Sequence, residues 1–207
     1  MDEFAGEESG IFGDGDKIAR SSGKGLSVTQ VYLDGHLKNA GKVNEDEKSF
    51  GIFMHSLILC NYAEMMKIDS PKDVVVSECE RAIYRYTSSK GFDKRLIDSI
   101  APRVARLNSG VEDVTLSAHL INEKVRIVSK GTPDELLNRC SYILQDSRLV
   151  KLTRKILREV HRVMKDMLER SQVVYAVAIK DVARISEAWN GSRQVGGMTL
   201  VALVGLG

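Results

Sequence analysis

The chain has 207 residues and carries 30 lysines and arginines against 28 aspartates and glutamates, which gives a formal net charge of +2. Basic and acidic residues are interleaved along most of the sequence, so the charge pattern gives no support to nucleic-acid binding. Hydrophobic residues make up 43% of the chain and charged residues 28%, values that exclude wholesale disorder and predict a folded globular protein.

No stretch of the sequence approaches the roughly 20 apolar residues that cross a bilayer. The longest apolar run, Met198–Leu206, has about half of that length and predicts a buried strand. The start of the chain, MDEFAGEESG, is acidic and lacks the basic and apolar regions of a signal peptide. We therefore expect a cytoplasmic location.

The cysteines and histidines do not form a pattern that binds metal. Cys60, Cys79 and Cys140 are far apart in the sequence, and none of them belongs to a CxxC pair. The four histidines are equally scattered. The sequence therefore predicts no metal site, and the cysteines are expected to be buried and reduced.

The first 26 residues combine many glycines with Asp, Glu and Ser, and they predict a flexible arm (1–26) ahead of a single domain (27–207). Ser22-Gly23-Lys24 is similar to part of a Walker phosphate-binding loop, but the motif fails at two positions. Ile18 stands where the leading glycine is needed, and Gly25 stands where Ser or Thr would hold Mg²⁺. The glycines of the arm therefore indicate flexibility.

The domain is expected to begin with a strand over Ser27–Leu33, which ends at the turn Asp34-Gly35. From Asn44 the sequence becomes helical, because apolar residues recur at i, i+3 and i+4. The face that they form consists of Phe50, Phe53, Met54, Leu57 and Ile58.

A second helix is predicted to begin after Ser70-Pro71 and to end at Gly91. Its core-facing residues are Val75, Cys79, Ala82, Ile83 and Tyr86. A short third helix is predicted over Asp93–Ile100. It should end there, because Pro102 follows closely and disfavours helical backbone in the residue before it.

The second half of the chain changes from helical to strand periodicity. Val114–Ile121 and Lys124–Ser129 predict a hairpin that turns at Asn122-Glu123. Further elements are expected, in chain order, over Pro133–Cys140 (helix), Thr153–Arg170 (helix), Val173–Ile179 (strand) and Met198–Val204 (strand). This order predicts an α+β fold in which helices flank an antiparallel β-sheet.

The segment Lys151–Arg170 is locally basic. Its charges alternate with an apolar helical stripe, so the pattern favours a solvated helix face over an anion-binding surface.

The most specific segment is Lys130–Cys140 (KGTPDELLNRC), which follows a predicted strand. A lysine can meet a phosphate or lie against an adenine, a glycine lets the backbone approach a ligand, and the amides of a helix N-terminus favour anions. The segment is similar to the KGAPE…L..RC stretch of the P-type cation-transporting ATPases, where Lys-Gly lies beside the nucleotide. A strand, turn and proline-capped helix with a purely structural role is the alternative.

The neighbouring segments extend this resemblance over most of the chain and in the correct order. Ile11–Gly35 resembles the family's phosphorylation segment, Cys60–Glu64 its CN.A helix and Asp69–Asp73 its GDPTE turn. Val174–Val182 resembles its LAVAYKDV-like strand, and Met198–Leu206 resembles its closing strand. The resemblance implies the nucleotide-binding domain of such a pump, with ATP as its ligand and a membrane cation pump, or the rest of one, as its partner.

Departures from the family pattern imply weakened nucleotide binding. The family stacks an aromatic residue of an F-S-x-x-R-K segment on adenine, whereas the aligned residues here are Asn108–Asp113 (NSGVED). Loss of a stack removes about 1–3 kcal/mol, which lowers affinity roughly tenfold to a hundredfold. The acidic residue of the GDPTE turn becomes Asp73, and Val173 replaces an arginine. The candidate nucleotide-binding residues are Lys130 and Gly131, which match the family, together with Thr132, which replaces its usual alanine, and Asp73.

No catalytic residue is expected. Asp14 is a degenerate match to the phosphorylated aspartate of DKTGT, but Gly15-Asp16-Lys17 follows it, and the remaining Mg²⁺ ligands of the family would lie beyond Gly207. We therefore expect no aspartyl-phosphate, no Mg²⁺ site in this chain alone and no transport by itself. The alternative functions are a catalytically inactive interaction or regulatory module with the same fold, and a degenerate fragment.

Overall fold

The computed structural model describes residues 25–62, 71–111, 113–185 and 195–207, with the backbone alone for 71–76. Its strands are β1 (Val28–Leu33), β2 (His36–Asn39), β3 (Arg103–Leu107), β4 (Val114–Ile121), β5 (Lys124–Gly131), β6 (Cys140–Gln145), β7 (Arg148–Lys151), β8 (Val173–Val182) and β9 (Met198–Leu206). Its helices are α1 (Phe50–Leu59), α2 (Pro71–Ser89), α3 (Lys94–Ile100), α4 (Pro133–Leu137) and α5 (Arg154–Leu168), and a 3-10 turn covers Ala40–Lys42.

The strands form a nine-stranded sheet with the order β2-β1-β9-β8-β5-β4-β3. The hairpin β6-β7 joins the sheet through β6, which runs parallel to β9, and all other pairs are antiparallel. All nine residues of β9 are buried, as expected for the strand at the centre of the sheet. The predicted α+β fold, an antiparallel sheet flanked by helices, is confirmed.

Helices cover both faces of this sheet. Buried side chains of α1, α2 and α3 pack on one face, which we call the α2 face. Buried side chains of α4 and α5 pack on the other, which we call the α5 face. Because successive strand residues point to opposite faces, the residues around Lys130 on β5 are divided between these two environments.

The structure confirms the predicted strands at β1, β4, β5, β8 and β9 and corrects two helix bounds. The first helix begins at Phe50 rather than at Asn44, with turns between them. The helix predicted over Pro133–Cys140 ends at Leu137, because Cys140 pairs with Met198 of β9 and starts β6. The four short strands β2, β3, β6 and β7 were not predicted.

Residues 1–24, which include most of the predicted arm, and with it Asp14, lie outside the described residues. The division into an arm and a domain therefore stays a prediction. In the part of the chain that the structure describes, no helix combines the length and the apolar character needed to cross a membrane.

Asp34 ties the β1-β2 turn to the start of α1. This buried residue has a φ of +52°. Its carboxylate accepts hydrogen bonds from the Ser49 backbone N–H at 2.9 Å and from the Ser49 hydroxyl at 2.5 Å. Hydrogen bonds to a charged group stabilise a fold more than neutral ones, and the left-handed backbone tolerates Asp and Asn better than other side chains.

We expect Asp34→Ala to lower the free energy of unfolding by about 2 kcal/mol, because both Ser49 donors lose their acceptor. Asp34→Asn keeps one acceptor oxygen and the tolerance for positive φ, so it is expected to lose less than half as much. Urea denaturation of both variants measures the difference. Equal losses in the two variants would show that the carboxylate is not what holds the turn to α1.

Candidate functional site

Lys130 lies near the end of β5, and its side chain points into the α2 face. The side chain is 3% exposed, and its ammonium forms an ion pair with the carboxylate of Glu80 on α2, whose side chain is 4% exposed. The ring of Tyr175 on β8 lies 5.6 Å from the ammonium. Lys130 is therefore already neutralised within the protein.

Glu80 is held in place by more than its ion pair with Lys130. One of its carboxylate oxygens accepts a hydrogen bond from the Tyr62 backbone N–H at 3.0 Å, while the other faces Lys130. The side-chain amide of Asn61 donates to the Glu80 backbone carbonyl at 2.8 Å. These contacts join α2 to the chain just after α1, so the carboxylate is positioned from two elements.

The ionisation of the site follows from its burial. Burial has the largest single effect and lowers the pKa of Lys130, but the raising effects, chiefly the charge of Glu80, together exceed it and the net shift is upward. Burial raises the pKa of the Cys60 thiol to about 11 and also raises the pKa values of Cys79 and Tyr175. The site thus contains an ammonium-carboxylate pair with protonated thiols and a protonated phenol beside it. Such thiols are poor nucleophiles at neutral pH.

Gly131 is required by the packing of β5 on β4. A Cβ atom at this position would lie 2.6 Å from the Asp113 carbonyl oxygen and 2.9 Å from the Val114 Cα. The absence of a side chain at Gly131 therefore allows β4 and β5 to approach each other closely. A contact of Gly131 with a ligand stays a prediction.

Thr132 follows as the residue that precedes α4. Its backbone N–H donates to the Asp113 carbonyl at 3.3 Å, and its own carbonyl accepts from the Leu136 N–H at 3.1 Å. Asp134 and Glu135 occupy the first turn of α4. Because these two carboxylates already lie at the helix N-terminus, they oppose the binding of a further anion there.

A cleft of about 410 Å³ opens at the loop between β3 and β4. It is lined by Arg106, Leu107, Asn108, Ser109, Val111, Val114, Thr115 and Leu116. Thr115 connects the cleft to Lys130, because the two residues are paired across β4 and β5 and the Thr115 hydroxyl donates to the Lys130 carbonyl at 3.1 Å. The loop where the sequence departs from the family pattern therefore leads into β4, the strand next to Lys130.

The guanidinium groups of two arginines pack against the ring of Tyr62 near this cleft. The guanidinium carbon of Arg103 lies 4.5 Å from the ring centroid, and that of Arg106 lies 5.2 Å from it. Tyr62 is 6% exposed. Arg106 thus contributes a positive charge to the cleft wall, while the aromatic surface beneath it is covered.

The structure brings Lys130, Gly131 and Thr132 together at the end of β5 and leaves the other predicted residues untested. Asp73 lies in α2 with its side chain outside the description, and Asp14 lies outside the described residues. Sequence reasoning missed Glu80, Tyr175 and Arg106. A signal existed for Glu80, since an acidic residue three positions before Ile83 lies on the apolar face of its helix.

Metal binding has no structural support in the described parts of the chain, where no group of three or more His, Cys, Asp or Glu side chains is placed to hold an ion. His119 instead has a structural environment: its Nδ1 lies 3.1 Å from the Ala101 carbonyl oxygen and its Nε2 lies 2.9 Å from the Ser117 hydroxyl. Burial lowers the pKa of His119.

Comparison with known proteins places this architecture in a family. The family model described as "P-type ATPase, cytoplasmic domain N" matches residues 50–207, which is more than half of the chain. The chain is also similar to calcium-transporting ATPase 1 of Bacillus cereus (strain ATCC 10987 / NRS 248), with 22% identity over 166 residues. That match covers 80% of this chain and 18% of the relative, so the chain spans less than a fifth of the relative's length.

Proposed function

The chain belongs to the family of P-type ATPase cytoplasmic N domains, and we propose that it binds adenine nucleotides weakly, in the cleft of the β3-β4 loop near Lys130. Membership of a cytoplasmic domain family confirms the location expected from the sequence. The nucleotide ligand is what the resemblance implies for such a domain. The weakness of binding is the part that this chain's own residues support.

The buried pair of Lys130 and Glu80 carries this proposal. A nucleotide phosphate is an anion, so it gains from Lys130 only where the ammonium is free to approach it. Here Glu80 neutralises that charge, and separating the two groups would leave a buried carboxylate without a counterion, which is costly. The lysine therefore contributes less to nucleotide affinity than an unpaired lysine would.

The base side of the cleft supports the same conclusion. Asn108 lines the cleft, and the resemblance to the family places it where the adenine-stacking aromatic would be. Its side-chain oxygen accepts a hydrogen bond from the Gly110 N–H at 2.8 Å, so the side chain stabilises the turn of the loop. Arg106 can attract an anionic ligand, but Tyr62 beneath it is covered and offers no free aromatic face.

We further propose that the chain by itself neither transports ions nor holds catalytic Mg²⁺. The similar calcium-transporting ATPase is more than five times as long as the matched region. Transport would need the rest of such a pump as a partner. The N domain would bind the nucleotide and present it to that partner.

Restoring an aromatic side chain at Asn108 tests the proposal. We expect Asn108→Phe to lower the ATP dissociation constant roughly tenfold or more, because a base-aromatic stack is worth about 1–3 kcal/mol. The measurement is a titration of the isotope-labelled chain with ATP, followed by backbone amide NMR shifts.

Asn108→Leu is the matched control. It loses the same hydrogen bond to Gly110 and adds apolar volume, but it has no aromatic face. An equal gain in both variants, or no gain in either, would contradict the placement of the adenine beside Asn108.

One observation also favours the alternative of an inactive interaction module: the positive charge that the family directs at nucleotide is buried and paired in this chain. If ATP leaves all amide shifts unchanged at millimolar concentration, that alternative replaces the nucleotide-binding proposal. A specific protein partner recovered by the folded chain would then support it.

A further inference from the structure

Helix α5 is incompletely covered by the fold. Two of its residues, Val160 and Met167, are fully buried. Four other apolar residues of the same stripe are half-buried, and these are Ile156, Leu157, Val163 and Met164. Leu168 at the end of the helix is 51% exposed. The helix therefore keeps apolar surface in contact with solvent.

A groove of about 540 Å³ opens on this surface and is lined by Arg154, Leu157, Arg158 and His161. Residues three and four apart on a helix are neighbours, so Leu157 lies beside Arg154 and His161, and Arg154 lies beside Arg158. The helix carries five basic residues against two acidic ones. The Asp134 carboxylate lies 3.7 Å from His161 Nε2 at the margin. An apolar floor with a basic rim suits an occupant that combines apolar side chains with carboxylates.

Residues 1–16 of the same chain have this chemistry. The segment MDEFAGEESGIFGDGD contains six acidic residues and no basic one. Three larger apolar side chains are interspersed among the acids, and they are Phe4, Ile11 and Phe12. The segment therefore complements the groove in charge and in apolar character.

The described chain begins beside α2, where the Arg85 guanidinium donates to the Leu26 carbonyl at 2.8 Å, and it then passes the end of α5. Ser27 exchanges backbone hydrogen bonds with Gly207 at 3.0 and 3.1 Å, and the Thr29 hydroxyl lies 3.3 Å from that of Ser171, three residues beyond α5. The eight residues 17–24 can span about 27 Å when extended. A 15-residue helix such as α5 is about 22 Å long. Residues 1–16 can therefore reach the groove without any change in the domain.

We propose that the acidic segment 1–16 docks in the α5 groove of its own chain, with its carboxylates near Arg154 and Arg158 and its apolar side chains on Leu157. The docked segment covers the apolar surface that α4 and the sheet leave open. The groove lies on the α5 face, opposite to Lys130, so this inference does not depend on nucleotide binding.

Paramagnetic NMR on the full chain tests the proposal. A nitroxide is attached to Ser9→Cys in a Cys140→Ser background, and the remaining cysteines, Cys60 and Cys79, are 0% exposed and inaccessible to the reagent. We expect the label to broaden the amide signals of residues 154–161 at low salt. The broadening should weaken at about 0.5 M salt, because charge attraction at the surface is screened.

Charge reversal provides the matched controls. Arg154→Glu/Arg158→Glu should abolish the broadening, and adding Glu7→Lys/Glu8→Lys should restore it, which separates loss of attraction from damage to the fold. The same reversal at exposed Lys42 and Lys124 should leave the broadening intact.

Three results would overturn the proposal. Broadening could be spread evenly over the surface, or it could centre on another basic region such as Arg103 and Arg106 of β3. Broadening could also appear equally when spin-labelled and isotope-labelled chains are separate molecules in one sample, which would make the contact one between two copies.

Discussion

Replacing Glu80 with glutamine is expected to lower the free energy of unfolding by about 3–5 kcal/mol. Glutamine keeps an oxygen that can accept from the Tyr62 N–H, so the variant mainly removes the charge opposite Lys130. A buried ammonium without a counterion is strongly destabilising, whereas the intact pair roughly balances its desolvation cost. Urea denaturation at neutral pH measures the loss.

The double variant Glu80→Gln/Lys130→Met is the control, because it removes both charges and keeps side chains of similar size. We expect it to recover most of the stability that Glu80→Gln loses. A double variant as unstable as the single one would contradict the electrostatic explanation and indicate a packing role for Lys130.

The pH dependence of this stabilisation has a definite sign. The pKa of Lys130 is raised in the folded state, so its contribution is fully present below the ordinary lysine pKa, about 10.4, and is lost as the pH rises through the raised value. Lys130 should therefore contribute no pH dependence to unfolding between about pH 6 and 9.

Gly131→Ala is expected to destabilise the domain by about 3 kcal/mol. The new Cβ would lie 2.6 Å from the Asp113 carbonyl oxygen and 2.7 Å from the Val114 Cγ2. Because one of these atoms belongs to the backbone, relief requires β4 and β5 to separate, and overpacking of this kind costs about 1–3 kcal/mol or occasionally more. Thermal or urea unfolding measures the effect.

Gly51→Ala is the matched control for this substitution. A Cβ at Gly51 meets nothing within 4 Å, and Gly51 is exposed in the first turn of α1, so alanine there is expected to cost no stability. A Gly131→Ala protein with unchanged stability would mean that β4 and β5 accommodate the methyl group, and that Gly131 is free to serve a ligand.

The sequence predicted the long periodic elements of the fold well. The hairpin of β4 and β5 turns at Asn122 and Glu123, both with positive φ, as the turn residues indicated. Short strands were missed for a physical reason: β3, with two arginines in five residues, is a strand because β4 pairs with it. Pairing of this kind is a tertiary interaction that local periodicity does not contain.

The candidate site shows the same limit. Lys130 and Gly131 were predicted from a local motif, but their environments come from residues far away in the sequence. Glu80 lies 50 positions before Lys130. A pattern read along one helix could identify Glu80 as an acid on an apolar face, but the cation that it meets is set by how α2 packs on β5.

Titration of the unmodified chain with ATP, resolved by backbone amide NMR, tests the central claim most directly. Weak binding near Lys130 predicts that the amides of residues 106–109 and 130–132 shift together and saturate at millimolar ATP. Saturation at micromolar ATP would contradict the weakened site, and the absence of any shift at these residues would contradict nucleotide binding itself.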